Sequence, residues 1–525
     1  MPAQHTRRAV LSSSLALAGT GLLAAYAGRG AAADRASALS HPAPSGPAAP
    51  EGYVSPDGPE VAAAERRRGA GPLREVTLTA TPSRLDLGGG RTVSSWAYGG
   101  ALPGQEVRVT AGDTLALTLA NHLPQSTSLH GHGLSLRNDM DGVPGLTQRA
   151  IEAGADFTYR FTVPRPGTHW LHPHSGVQLD RGLYAPLIVE DPREPLAYDR
   201  EWVVVLDDWV DGVDGSTPDA VLRELTGGHG HSGHAMPAAP AAEEGDGGPP
   251  RMLRGATSEL LGGNAGNVDY PYYLVNGRTA EDPSVYTARP GDRIRLRIIN
   301  AGGDTAFRVA LGGHRMTVTH TDGFPVRHAT TDTLLLGMGE RYDVLVTAED
   351  GVFPLTALAE GKKASAMAVL RTGGGAAPGA SVRPKELDGE RVTADRLSPD
   401  ASVALPAREP DRTVRFRLTG SMRAYDWAFD RKPYAPGRRH PVKAGERVRL
   451  EFHNQTAMWH PIHLHGHTFS LGGGARGARK DTAIVLPRHT LTVDLDADNP
   501  GLWMLHCHNL YHAEAGMMTV LGYLR

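Results

Sequence analysis

The chain has 525 residues, with 54 Lys+Arg against 57 Asp+Glu and a net charge of −3. That near-neutral balance gives no footing for a nucleic-acid or strongly acidic partner. A single cysteine excludes an intrachain disulfide, and 64 glycines and 39 prolines among short alternating apolar runs predict an all-β protein with many turns.

At the N-terminus, Thr6-Arg7-Arg8-Ala9-Val10-Leu11 precedes a weakly apolar run from Leu15 to Ala27 and the small residues Ala31-Ala32-Ala33. This pattern predicts a twin-arginine-type export signal over residues 1–33, with a cleavage site, and hence a secreted or cell-envelope protein. The run is short and glycine-broken, so no stable membrane anchor is expected. Residues 34–72, rich in Ala, Pro and Gly around Glu65-Arg66-Arg67-Arg68, read as a flexible linker.

Three eleven-residue segments then align without gaps: A-G-D-T-L-A-L-T-L-A-N from Ala111, P-G-D-R-I-R-L-R-I-I-N from Pro290 and A-G-E-R-V-R-L-E-F-H-N from Ala444. Each predicts a turn, an alternating strand and a terminal asparagine. Repeats at domain-sized spacing imply duplicated domains. Three β-sandwiches are expected, over 73–192, 200–375 and 405–525.

Offsets from the repeat locate the chemistry. Eighteen and twenty residues after Gly112 stand His130 and His132; the same steps from Gly445 give His463 and His465, but from Gly291 they give Val309 and Leu311. A second anchor behaves alike. Five and seven residues after Gly167 stand His172 and His174, and after Gly501 stand His506 and His508, whereas Gly351 leads to Thr356 and Leu358. Chance would supply roughly one H-x-H pair in the chain; four in register are not chance. On a strand, each pair presents two imidazoles on one face. Eight converging imidazoles exceed the needs of one ion and suit a cluster of two or three, with the middle sandwich as a spacer.

Cys507 stands between His506 and His508, so on a strand it faces away from both. His460 lies three before His463, an odd step that puts it on the cysteine side. With His512 and Met517 they form a thiolate, two imidazoles and a thioether, the ligand set of a blue-copper centre. Their first-sandwich counterparts are Thr127, Pro173, Gln178 and Leu183, none a useful copper ligand, so this centre is expected once.

The motifs S-L-H-G-H-G, H-W-L-H-P-H-S-G, H-P-I-H-L-H-G-H and H-C-H-N-L-Y-H-A-E-A-G-M occur in this order and resemble those of the multicopper oxidases. The likeness runs from about residue 73 to the end; R-N-D-M-D-G, L-D-D-W and Y-P-Y-Y-L-V-N-G-R make it similar to three-domain actinobacterial enzymes tied to copper resistance. The resemblance implies three cupredoxin-like Greek-key β-sandwiches and four copper ions. His460, Cys507, His512 and axial Met517 would hold type 1 copper; His130 and His463 type 2; His132, His172 and His508 one type 3 ion; His174, His465 and His506 the other. This split of the eight imidazoles comes from the resemblance alone. So does the activity it implies: a small phenol, aromatic amine or cuprous ion gives electrons singly at type 1 copper, and the cluster reduces dioxygen to water. Met517 at the axial place would, by family trend, ease cuprous oxidation. Asp141 matches an acid that the family uses for protons. Glu514 stands one residue beyond the place of a second acid, which here is Ala513.

Two further readings attach to weaker signals. The loop 227–254 carries His229, His231, His234, Met236 and Met252, which could collect copper beside the middle sandwich. His169, where an aromatic is common, is expected to be a packing residue, and His122, His314, His320, His328, His440, His453, His467 and His489 structural. A non-catalytic copper-sequestering protein is the alternative; it would need no Cys-His connection between metals. A copper nitrite reductase is disfavoured, since eight histidines exceed one catalytic copper.

Overall fold

The computed structural model describes residues 51–227 and 248–525. The expected export signal lies outside the described residues. Three β-sandwiches follow one another, each built around one repeat. The repeat strands are Thr114–Asn121, Arg293–Asn300 and Arg447–Asn454. Gly112, Gly291 and Gly445 turn the chain into them at φ of 97°, 86° and 86°, a region that side chains disfavour. Each repeat strand pairs in parallel with the first long strand of its sandwich: Leu73–Gly88, Arg200–Trp209 or Arg412–Thr419. On its other edge it pairs antiparallel with Asp156–Thr162, Arg341–Thr347 or Thr490–Asp496.

The terminal asparagine explains why the repeat ends as it does. Asn121, Asn300 and Asn454 each donate two side-chain hydrogen bonds to buried carbonyls, one a few residues on and one across the sandwich. Each also accepts the N–H two residues later, from Leu123, Gly302 or Thr456. Three backbone polar groups that burial would otherwise strand are thereby satisfied in each sandwich.

The facing sheets share their order as well. Strands Gly167–His172, Val352–Ala359 and Leu502–Cys507 occupy equivalent places. The second anchors, Gly167, Gly351 and Gly501, take φ of 149°, 147° and 147°. Beside them lie His130–His132, Phe307–Leu311 and His460–Leu464. In the middle sandwich Val309 and Leu311 fill the histidine places and are 0% and 1% exposed. There the position stabilises the core, at about 1.5–3 kcal/mol per buried aliphatic side chain.

Residues 51–72 correct the expectation of a flexible linker. Pro59–Arg68 is a helix with Pro59 at its first turn, its basic residues in the last turn and Val61 and Ala64 buried. Glu65 accepts the N–H of Thr162 in the first sandwich, and Arg68 donates to Asn499 in the third. Val54 N–H bonds Tyr523 O. The alanines that read as linker composition are here the small face of a docked helix. Among the described residues no helix is long and apolar enough to cross a membrane.

Candidate metal centres

The strand Leu502–Cys507 delivers Cys507 to one side of the third sandwich. Its Sγ lies 3.6 Å from His460 Nδ1 and 3.6 Å from His512 Nδ1, and the two Nδ1 atoms are 3.2 Å apart. These spacings suit atoms sharing one ion at about 2.0–2.3 Å. The outer nitrogens are occupied: His460 Nε2 meets Thr456 Oγ1 at 2.9 Å, and His512 Nε2 meets the Asn267 carboxamide of the middle sandwich at 2.6 Å. Asn509 caps the short helix that carries His512 by accepting its N–H. Met517 is buried, its N–H bonded to His512 O and its O to Cys507 N–H. Burial pushes the Cys507 thiol up and His460 down to about 3. Without a cation all are neutral; a bound ion would deprotonate the thiol.

The eight remaining imidazoles converge between the first and third sandwiches. His130 stacks on His465 and His132 on His463, each with ring centres 3.8 Å apart. His172 and His508 are 5.3 Å apart, and His174 and His506 5.0 Å. The arrangement has a pseudo-two-fold axis exchanging His130 with His463, His132 with His465, His172 with His506 and His174 with His508. Outer nitrogens are tied down: His130 Nδ1 to Asp141 O, His463 Nδ1 to Asp481 O, His172 Nδ1 to Pro173 O and His506 Nδ1 to Cys507 O. Most inward nitrogens are not, and those of His465 and His506 meet only each other, Nε2 to Nε2 at 3.2 Å. One ring nitrogen of each of His130, His132, His172, His174 and His463, and both of His508, are buried without a hydrogen-bond partner. So many orphaned imidazole nitrogens aimed at one space are what a metal cluster would satisfy.

Two aspartates obey the same axis. Asp141 accepts His130 with its carbonyl and His465 with its carboxylate at 3.0 Å; Asp481 accepts His463 with its carbonyl and His132 with its carboxylate at 3.1 Å. Their surroundings differ. Burial pushes the Asp141 carboxyl up, whereas Asp481, though equally buried, is held well below the usual carboxylate range by Arg341 and by hydrogen bonds from His132 and His463.

Multicopper oxidase family models match residues 79–194, 253–375 and 407–523. The multicopper oxidase MmcO of Mycobacterium tuberculosis is 48% identical over 465 residues, 88% of this chain and 90% of that protein. This chain belongs to the multicopper oxidase family. A copper resistance protein A homolog of Pseudomonas syringae pv. tomato is 29% identical, covering 84% of this chain and 91% of the relative. The crystal structure of a laccase from Botrytis aclada superposes with a TM-score of 0.68 at 26% identity, covering 87% of this chain and 88% of the laccase. The protein is thus an oxidase of three cupredoxin-like sandwiches, from a family implying copper cofactors.

In this oxidase the first-sandwich counterparts of two sulfur-site ligands, Thr127 and Gln178, hydrogen-bond each other at 2.7 Å in the core. Glu514 joins neither constellation: its side chain is exposed on the last helix. His169 is buried with neither ring nitrogen bonded. Met252 packs on the hydrophobic core; the expected copper-collecting residues His229, His231, His234 and Met236 lie outside the described residues. His122, His328 and His489 are exposed, His314 bonds Gly312 O and Glu349 N–H, and His467 bonds Tyr523. His320 neighbours Thr319 and Arg295, His440 packs on Phe416 and His453 bonds Thr490. Sequence reasoning missed Asp481, Asn267, Trp170, whose ring packs on His172, and Arg341. Asp481 lies sixteen residues beyond His465, but Asp141 only nine beyond His132, so no common offset reveals the pair.

Proposed function

We propose that this oxidase couples one-electron oxidation of phenols, aromatic amines or cuprous ion to four-electron reduction of dioxygen to water. His460, Cys507, His512 and Met517 would hold a type 1 copper. His130 and His463 would hold type 2 copper, and the triads His132/His172/His508 and His174/His465/His506 the type 3 pair. The four coppers, when bound, would supply the electron storage and the dioxygen chemistry.

The observation that carries this reading is the run His506-Cys507-His508. Its sulfur belongs to one constellation and both flanking imidazoles to the other, so the two are joined by a few covalent bonds. The pseudo-two-fold supports the division of the imidazoles, for it maps His130 onto His463 and one triad onto the other. Ring spacings within the triads correspond: 5.7, 5.0 and 5.3 Å in the first against 5.2, 4.7 and 5.0 Å in the second. Burial keeps bulk water out and would retain partly reduced oxygen. Asp141, with Oδ1 lacking a hydrogen-bond partner, is the group suited to hold a proton there. Met517 and the copper-resistance relative favour cuprous ion among the reductants. Glu514 is left without a direct path to the cluster. Residues 1–33 would direct export, and N-terminal sequencing of the secreted protein tests that.

Copper quantitation with optical and EPR spectra, followed by oxygen uptake with a phenol and with cuprous ion in one sample, tests the whole reading. Four coppers per chain and uptake with either reductant are expected. A fully loaded protein that consumes no oxygen would favour copper sequestration instead.

A further inference from the structure

The middle sandwich carries none of the ligands, yet it forms a wall of the eight-imidazole space. Gly339 takes a φ of +84°, and a Cβ there would meet His508 Cδ2 at 2.8 Å and His132 Cε1 at 3.0 Å. Two residues on, Arg341 reaches all three sandwiches. Its guanidinium donates to both carboxylate oxygens of Asp481, at 2.7 Å each, in the third. Its Nε donates to Thr168 O at 3.0 Å in the first, four residues before His172, and its Nη1 to Gly339 O in its own loop. The Arg341 side chain is 0% exposed, and so is that of Asp481.

A buried ion pair is a poor device for stability, because its desolvation cost rivals its attraction. What a bidentate guanidinium supplies instead is a fixed plane for the carboxylate. Here that carboxylate holds His132 Nε2 from the first sandwich at 3.1 Å and lies 3.5 Å from His463 Nδ1 of the third. Among the described residues no guanidinium pairs with Asp141, the pseudo-symmetric partner. We infer that Arg341 is a positioning residue of the cluster: through Asp481 it orients His132 and His463, so the sandwich without ligands sets the geometry of the site. This rests on the reading that these imidazoles hold type 2 and type 3 copper.

The test uses the full copper-loaded chain with Arg341→Met, Arg341→Lys and the shape-conserving Asp481→Asn. Copper per chain, the type 2 EPR signal and the visible thiolate-copper band are measured against the unchanged protein. The expected result is an unaltered visible band in each variant, with cluster copper affinity lowered about 10–100-fold in Arg341→Met and Asp481→Asn and less in Arg341→Lys. Combining Arg341→Met with Asp481→Asn should lower it no further. Equal type 2 signal and copper content in all proteins would overturn the inference. So would parallel loss of the visible band, which marks a merely structural interface. Should Arg341→Met fail to fold, Asp481→Asn carries the test. An unchanged protein that lacks type 2 copper refutes the functional reading itself.

Discussion

The Asn267 carboxamide gives the sharpest test of the sulfur site. Its Nδ2 lies 2.6 Å from His512 Nε2 while its Oδ1 has no partner. If His512 binds copper through Nδ1, its Nε2 carries the proton, and turning the carboxamide over lets Oδ1 accept it. The amide is held in place from behind. Asp304 accepts the Asn267 N–H and the Asn509 side chain, and it is paired with Lys362 at 2.7 Å. One carboxylate therefore fixes both the amide and the cap of the ligand helix. Losing such an outer partner costs about 10–100-fold in metal affinity, or about 1.4–2.7 kcal/mol. Asn267→Ala should weaken type 1 copper by that factor in a chelator titration followed by the visible band, and Asn267→Asp should restore most of it. An affinity unchanged in Asn267→Ala would refute the idea that the middle sandwich steadies this ligand.

Other outcomes follow from the same geometry. Asp141→Asn should slow dioxygen reduction by about 10²–10⁴-fold, while anaerobic bleaching of the visible band by a phenol keeps its rate; full turnover would remove Asp141 from proton handling. Cys507→Ser should abolish the visible band and leave the type 2 EPR signal. Burial, then the Arg341 charge, lowers His169 from 6.5 to about 3. The unfolded chain therefore binds the proton first, and the stability this group contributes is present above pH 6.5 and lost as pH falls towards 3. His169→Phe should flatten that acid limb by up to about 1.4 kcal/mol per pH unit, read from denaturant midpoints across that range. Asn300→Ala strands the carbonyls of Thr305 and Leu336 and the N–H of Gly302 and should cost about 1–3 kcal/mol without altering either copper spectrum.

The repeat made much of this legible. Fixed steps from Gly112 and Gly445 found the paired histidines because strands of equal length start from the same turn. Alternation separated Cys507 from His506 and His508 because neighbours on a strand face opposite ways. Contacts between sandwiches were not legible. Asn267 and Arg341 act on His512 and Asp481 across 245 and 140 residues of chain, and nothing periodic marks either. Composition misled at residues 51–72, where alanines serve equally for loose chain and for the close side of a helix. Glu514 was carried by a family position that this chain fills with Ala513, and its side chain turns outward.

The Thr127–Gln178 bond has a consequence for how such a protein diversifies. Where the last copy of the unit gathers soft donors, the first copy closes the same place with one neutral contact and loses nothing of its architecture. Metal capture is thus an optional tenant of this scaffold, gained or surrendered through a handful of side chains while the strands stay where they are.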